Sequence, residues 1–75
     1  MNALARIAID PEVCGGRPIV AGTRVRVTDV LDMLAGGAGT DEILADFSYL
    51  SRDDILACLA YAARALDHSV VLAAE

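Results

Sequence analysis

At Thr28 the spacing of apolar residues changes, and that change divides what this chain can build. Upstream, Ile19-Val20 and Val25 with Val27 flank Ala21-Gly22-Thr23, the pattern of strand, glycine-containing turn and strand. Val25 and Val27 alternate with Arg24, Arg26 and Thr28, so one face is apolar and the other polar. Gly15-Gly16 ahead of Pro18 supply a second turn, and Pro18 removes a backbone donor where a sheet edge tolerates it. Arg6-Ile7-Ala8-Ile9-Asp10 alternates as well and predicts a first short strand, with Ile7 and Ile9 on one face. Strands this few and short do not stand alone in water. They must pack on helices or pair, edge to edge, with a second copy.

From Thr28 onward the period is helical. Thr28 is the expected N-cap of a helix carrying Asp29 in its first turn, with Val27, Val30, Leu31 and Leu34 sharing a face, ended by Gly36-Gly37. Thr40 caps a short second helix with Asp41 and Glu42 at its start and Ile43, Leu44 and Phe47 as its apolar stripe. A helix of that length needs packing to persist. Ser48-Tyr49-Leu50 forms the turn into a third helix beginning at Ser51, where Asp54 three residues on resembles a capping box. Ile55, Leu56, Leu59, Ala62, Ala63 and Leu66 repeat along it at helical spacing and are expected on one side. The expected fold is therefore mainly α with a small β part: N-terminal short strands or a β-hairpin, then a tri-helical unit of helix-turn-helix type. Residues 1–75 form one domain, and 67–75, with Ser69-Val70-Val71-Leu72, are a candidate C-terminal arm.

Charge is unevenly placed. The chain carries a net charge of −5, yet residues 1–26 hold four arginines against two acids, net +2, and residues 27–75 hold two arginines against nine acids, net −7. All six basic residues are arginine, the side chain suited to planar, bidentate pairing with carboxylate or phosphate. Any anion-facing surface therefore belongs to the N-terminal ribbon, on Arg17, Arg24 and Arg26. Apolar residues make up 56% of the sequence, high for so short a domain. Part of that content should be covered by another chain, and a homodimer is expected. No run reaches the roughly 20 apolar residues of a membrane span, and the start of the chain, interrupted by Arg6 and Asp10, does not read as a signal peptide. A cytoplasmic protein with no membrane association is expected.

Catalytic chemistry is not visible. One histidine, His68, gives no nucleophile–base–acid set, and its place near a helix C-terminus predicts a dipole contact. Gly36-Gly37-Ala38-Gly39 lacks the lysine of a phosphate loop. Cys14 and Cys58 have no metal-ligand spacing and read as two buried thiols. The acid pairs Asp41-Glu42 and Asp53-Asp54 sit where helix dipoles favour them. No cofactor, no metal and no enzyme activity are expected.

One stretch is more specific. Asp10-Pro11-Glu12-Val13-Cys14-Gly15-Gly16-Arg17-Pro18-Ile19-Val20-Ala21-Gly22-Thr23-Arg24-Val25 resembles the signature of the prokaryotic "domain of unknown function 433" (DUF433) family, roughly D-P-x-x-x-G-G-x-P-x-x-x-G-T-R-V/I-x-V. Val30 to Leu34, Glu42 to Leu50, Asp54-Ile55 and Leu59 to Ala62 match too, so the resemblance covers about residues 6–63. It implies a homeodomain-like helix-turn-helix arrangement and a likeness to VapB-type antitoxins, encoded beside PIN-like ribonuclease toxins whose active sites are metal-binding carboxylate clusters. On that reading Arg17, Arg24 and Arg26 face the toxin's carboxylates, and their joint replacement by alanine abolishes neutralisation. The arm 67–75 is a second candidate surface. The alternative is a DNA-binding regulator without a toxin partner, using Arg24, Arg26, Ser51 and Arg52. The two roles are compatible, since one protein can neutralise a toxin and bind its own operator. A blander third reading is an interaction module in which the tri-helical body is only a scaffold.

Overall fold

The structure is a computed structural model that describes residues 3–68. The expected arm therefore lies, from Ser69 onward, outside the described residues. A 3-10 turn, Ala3–Arg6, leads into β1 (Ile7–Ala8), and a second, Cys14–Gly16, precedes β2 (Ile19–Val20). Three helices follow: α1 (Val27–Ala35), α2 (Thr40–Asp46) and α3 (Arg52–His68). The chain is mainly helical with a small β part, as expected.

The strands pair differently from the sequence expectation. β2 is antiparallel to β1, with Ile7 opposite Val20 and Ala8 opposite Ile19. The second arm of the expected 19–27 hairpin is reduced to a single bridge between Ile19 and Arg26. That arm is closed by the Val20 N–H donating to Val25 C=O at 2.9 Å and the Val27 N–H donating to Pro18 C=O at 2.9 Å. The turn itself forms as read: Gly22 has φ of 81°, and the Thr23 hydroxyl donates to Val20 C=O at 2.8 Å while accepting the Val25 N–H at 3.0 Å. A left-handed backbone favours glycine there. The alternation also survives as burial, since Val25 and Val27 are buried while Arg24 and Thr28 are exposed.

The second arm is short because α1 starts early. Its N-cap is Arg26, not Thr28. Asp29, at the third helical position, accepts the Arg26 backbone N–H at 3.0 Å and satisfies a donor that a longer strand would have left to a neighbour. At the other end, β1 stops at Ala8, and Ile9, expected on one face with Ile7, is exposed. α2 likewise begins one residue early: the expected cap, Thr40, is its first helical residue and Gly39 is its N-cap, with the Gly39 N–H donating to Glu42 Oε1 at 2.8 Å. The capping box of α3 is present as read. Ser51 N–H donates to Asp54 Oδ2 at 2.9 Å, and Asp54 N–H donates to Ser51 Oγ at 3.3 Å.

The core collects side chains from β2, the turn after it, the three helices and the turn before α3: Val20, Val25, Val27 and Val30, then Ile43, Leu50, Ile55 and Cys58. α3 runs across it and also carries the N-terminal 3-10 turn and β1. That attachment has a polar fastening. Arg6 donates from one terminal nitrogen to buried Asp54 at 3.1 Å, and its other lies 3.6 Å from Asp53. The two-residue strands are thus held against α3 rather than standing as an independent ribbon.

Candidate functional site

Each arginine singled out in the sequence has a different fate. Arg24 follows the Gly22 turn and is exposed. Among the described residues its guanidinium has neither an ion pair nor a hydrogen-bond partner within the chain. Its backbone is fixed, since Cys14 Sγ donates to Arg24 C=O at 3.4 Å and Val25 beside it is buried. The loop that supplies this contact is tightly wound. Cys14 has a φ of 52°, rare for a residue with a side chain, and Gly15 and Gly16 continue at 67° and 82°. Arg17 leaves that loop in extended conformation with φ of −76° and ψ of 149°. It too is exposed and makes no ion pair among the described residues.

Arg26 is committed elsewhere. Its Nε donates to Asp29 Oδ2 at 3.1 Å and a terminal nitrogen donates to Oδ1 at 2.8 Å, a bidentate fork. The hydrogen bond from that fork, despite some opposing desolvation, holds the Asp29 carboxyl below its usual range and raises Arg26 in turn. This corrects the picture of three equivalent cations. Arg26 closes the start of α1, and of the three only Arg17 and Arg24 are without an ion pair among the described residues.

Arg24 stands between two open clefts that share it and Tyr49. One is lined by Ala21, Gly22 and Thr23, the other by Val25, Met33 and Phe47 with Asp29 and Asp32. Tyr49 is 63% exposed and is steadied by an edge-to-face contact with Phe47, ring centroids 6.2 Å apart at 84°. The turn 21–24 and the turn 47–49 therefore present an arginine and an aromatic side by side. Tyr49 was not singled out from the sequence, where it reads only as part of the turn before α3.

The residues of the DNA reading are dispersed in role. The Ser51 hydroxyl is used in the α3 cap. Arg52 makes an exposed pair with Asp41 at 3.3 Å, and its neighbour Asp53 is exposed beside it. The first turn of α3 thus shows a carboxylate where phosphates would approach.

The cysteines are free, but only Cys58 is buried; Cys14 is half-buried because it lies in the wound loop. Burial, and then the charge of Asp54, push the Cys58 thiol up to about 11. The thiol is protonated in the folded state through the range where an unfolded chain, with a value near 9.0, ionises. Above that value the unfolded state binds fewer protons, so stability falls with rising pH. Relative to Cys58→Ala, the wild type is expected to lose roughly 2 kcal/mol between about pH 9 and pH 11. Denaturant titrations of both proteins at several pH values measure the difference, and parallel curves would contradict it.

Among the described residues no group of three His, Cys, Asp or Glu side chains is placed to hold a metal ion. No helix there is long and apolar enough to cross a membrane. The family model described as a protein of unknown function, DUF433, matches residues 7–62. The crystal structure of a DUF433 member protein from Anabaena variabilis is similar, with a TM-score of 0.79 and 30% identity, over 84% of this chain and 62% of that one. The chain thus spans less than two thirds of that relative. No curated protein matches it.

Proposed function

The chain belongs to the DUF433 family, and from that membership and the arginine geometry we propose that it is an antitoxin-like protein of a type II toxin–antitoxin pair. It binds and neutralises a PIN-like ribonuclease in the cytoplasm. The observation that carries the reading is Arg24: an exposed guanidinium with no partner among the described residues, on a fixed backbone, beside exposed Tyr49. Arginine and tyrosine are the residues enriched at the energetic centres of protein interfaces. A nuclease site built of carboxylates around a divalent cation offers a planar, bidentate acceptor for that fork. Arg17, on the neighbouring wound loop, adds a second cation. The strongly acidic helical body would repel the same carboxylates, so it orients the loop edge toward the partner.

The tri-helical body acts here as a homeodomain-like helix-turn-helix scaffold. Operator binding is secondary in this reading, because Asp53 at the start of α3 opposes phosphate and Arg26 and Ser51 are engaged within the chain. Co-expression with the product of the adjacent reading frame tests the proposal. A stable complex with suppressed ribonuclease activity is expected. Failure of the two proteins to co-purify, with toxicity undiminished, would overturn it.

A further inference from the structure

The apolar residues of α3 do not share one side as expected: the helix carries two apolar faces, and only one meets the core. Ile55, Ala57 and Cys58 are buried, whereas Leu56, Leu59 and Leu66 are 53%, 44% and 73% exposed. With exposed Ala63 these leucines are spaced three or four residues apart and form one stripe. At Leu66 the stripe meets an apolar groove between α1 and α3 lined by Pro18, Val27, Leu31 and Tyr61. A continuous apolar surface of this kind on a small protein marks an interaction site.

We infer that this face of α3 is the self-association surface, on which a second copy lays its own α3 antiparallel. The inference is independent of the toxin reading. Charge decides the occupant. α1 and α2 bear Asp29, Asp32, Asp41, Glu42 and Asp46 and no basic residue, so two copies meeting there would repel. The exposed charges of α3 are balanced: Arg52 and Arg64 against Asp53 and Asp67.

The stripe is also self-complementary in an antiparallel register. Arg52 begins it and Asp67 ends it, about 22 Å apart along the helix. A two-fold axis beside Leu59 brings Arg52 of each copy to Asp67 of the other. Leu56 then lies over the small Ala63, and the two Leu59 side chains meet at the axis. Both ends of the contact are made by the same patch, as a closed dimer requires. The exposed Arg52–Asp41 pair does not prevent this, because a surface pair at 3.3 Å is weak and exchangeable.

Sedimentation equilibrium of the full chain across micromolar to near-millimolar concentration reads the outcome. The wild type is expected to be dimeric and Leu59→Asp monomeric, with unchanged helical circular dichroism because Leu59 is outside the core. Arg52→Asp and Asp67→Arg should each weaken the dimer at least about tenfold by opposing like charges, and Arg52→Asp/Asp67→Arg together should restore it. Asp41→Asn, which removes the intramolecular partner of Arg52, should leave the dimer intact. A wild type that stays monomeric overturns the inference. So does a dimer indifferent to Leu59→Asp, or one lost when residues 69–75 are removed but insensitive to the charge swaps. Failure of the double swap to restore association would overturn the antiparallel register.

Discussion

Alanine at both Arg17 and Arg24 is expected to abolish neutralisation of the partner nuclease, while alanine at Arg26 should leave it largely intact. The three residues lie within ten positions of one another and look interchangeable in the sequence. They are not interchangeable in the fold, because among the described residues only Arg26 of the three has a carboxylate of its own, Asp29 at 2.8 Å. A guanidinium already held in a fork must break that fork before it can bind another acid. Arg17 and Arg24 have no such bond to give up among the described residues. Loss of an arginine at the centre of an interface weakens binding by about 30-fold or more, and two well-separated losses approach the product. Their removal should scarcely move the melting temperature, since neither side chain is packed. Titration of nuclease activity with each variant measures the effect, and association should also slow as ionic strength rises. Equal damage from all three single substitutions would show that Arg26 reaches the partner despite Asp29. Full protection by Arg17→Ala/Arg24→Ala would place the contact elsewhere on the chain.

Which parts of this geometry could be read from the residues follows from the range of the interactions involved. The third helix was legible because its cap, Ser51 with Asp54, and its apolar period agree over many turns. The burial of Val25 and Val27 was legible for a similar reason, as alternation fixes which side chains face inward. Alternation over three residues does not fix where a strand ends, and here the helix begins at Val27. The acid three positions after Arg26 was the available signal, although Thr28 is the better N-cap by residue type. The division of α3 into an inner and an outer apolar face was not legible. Leucine and alanine nearly encircle it, and only the position of α1, β1 and the N-terminal turn selects the inner side. The least legible feature is Arg6. In the sequence it counts as one more cation of the N-terminal segment, and its partner lies 48 residues away. No local pattern announces a pair at that separation. The consequence for the site is direct, because Arg6 is spent in fastening the β segment and contributes nothing to an outside anion.

That fastening makes Asp54→Ala the substitution with the largest expected effect on stability, a loss of about 3 kcal/mol. Asp54 is a buried carboxylate, 8% exposed, and it has two tasks. One oxygen accepts the Ser51 N–H at the start of α3, and the other accepts Arg6 at 3.1 Å. Losing the cap alone costs about 1 kcal/mol. Losing the ion pair costs more, because partly buried Arg6 keeps only its longer contact with exposed Asp53 at 3.6 Å, and its Nε is already buried without a hydrogen-bond partner. The full penalty for a buried pair is reduced here because the Arg6 side chain is 35% exposed. In a domain of this size the combined loss lowers the melting temperature by roughly 15 °C. Asp54→Asn separates the two tasks, since the amide oxygen can still accept the Ser51 N–H while the charge is gone, and it should fall between the wild type and Asp54→Ala. Arg6→Ala removes the buried cation as well as the pair, so the double variant with Asp54→Ala should be less destabilised than the sum of the singles. Thermal melts of the four proteins close that cycle. Strict additivity would mean that the 3.1 Å contact does not hold the strands to α3, and the rigidity argued for the loop bearing Arg24 would then have to come from Val25 and the Cys14 contact alone.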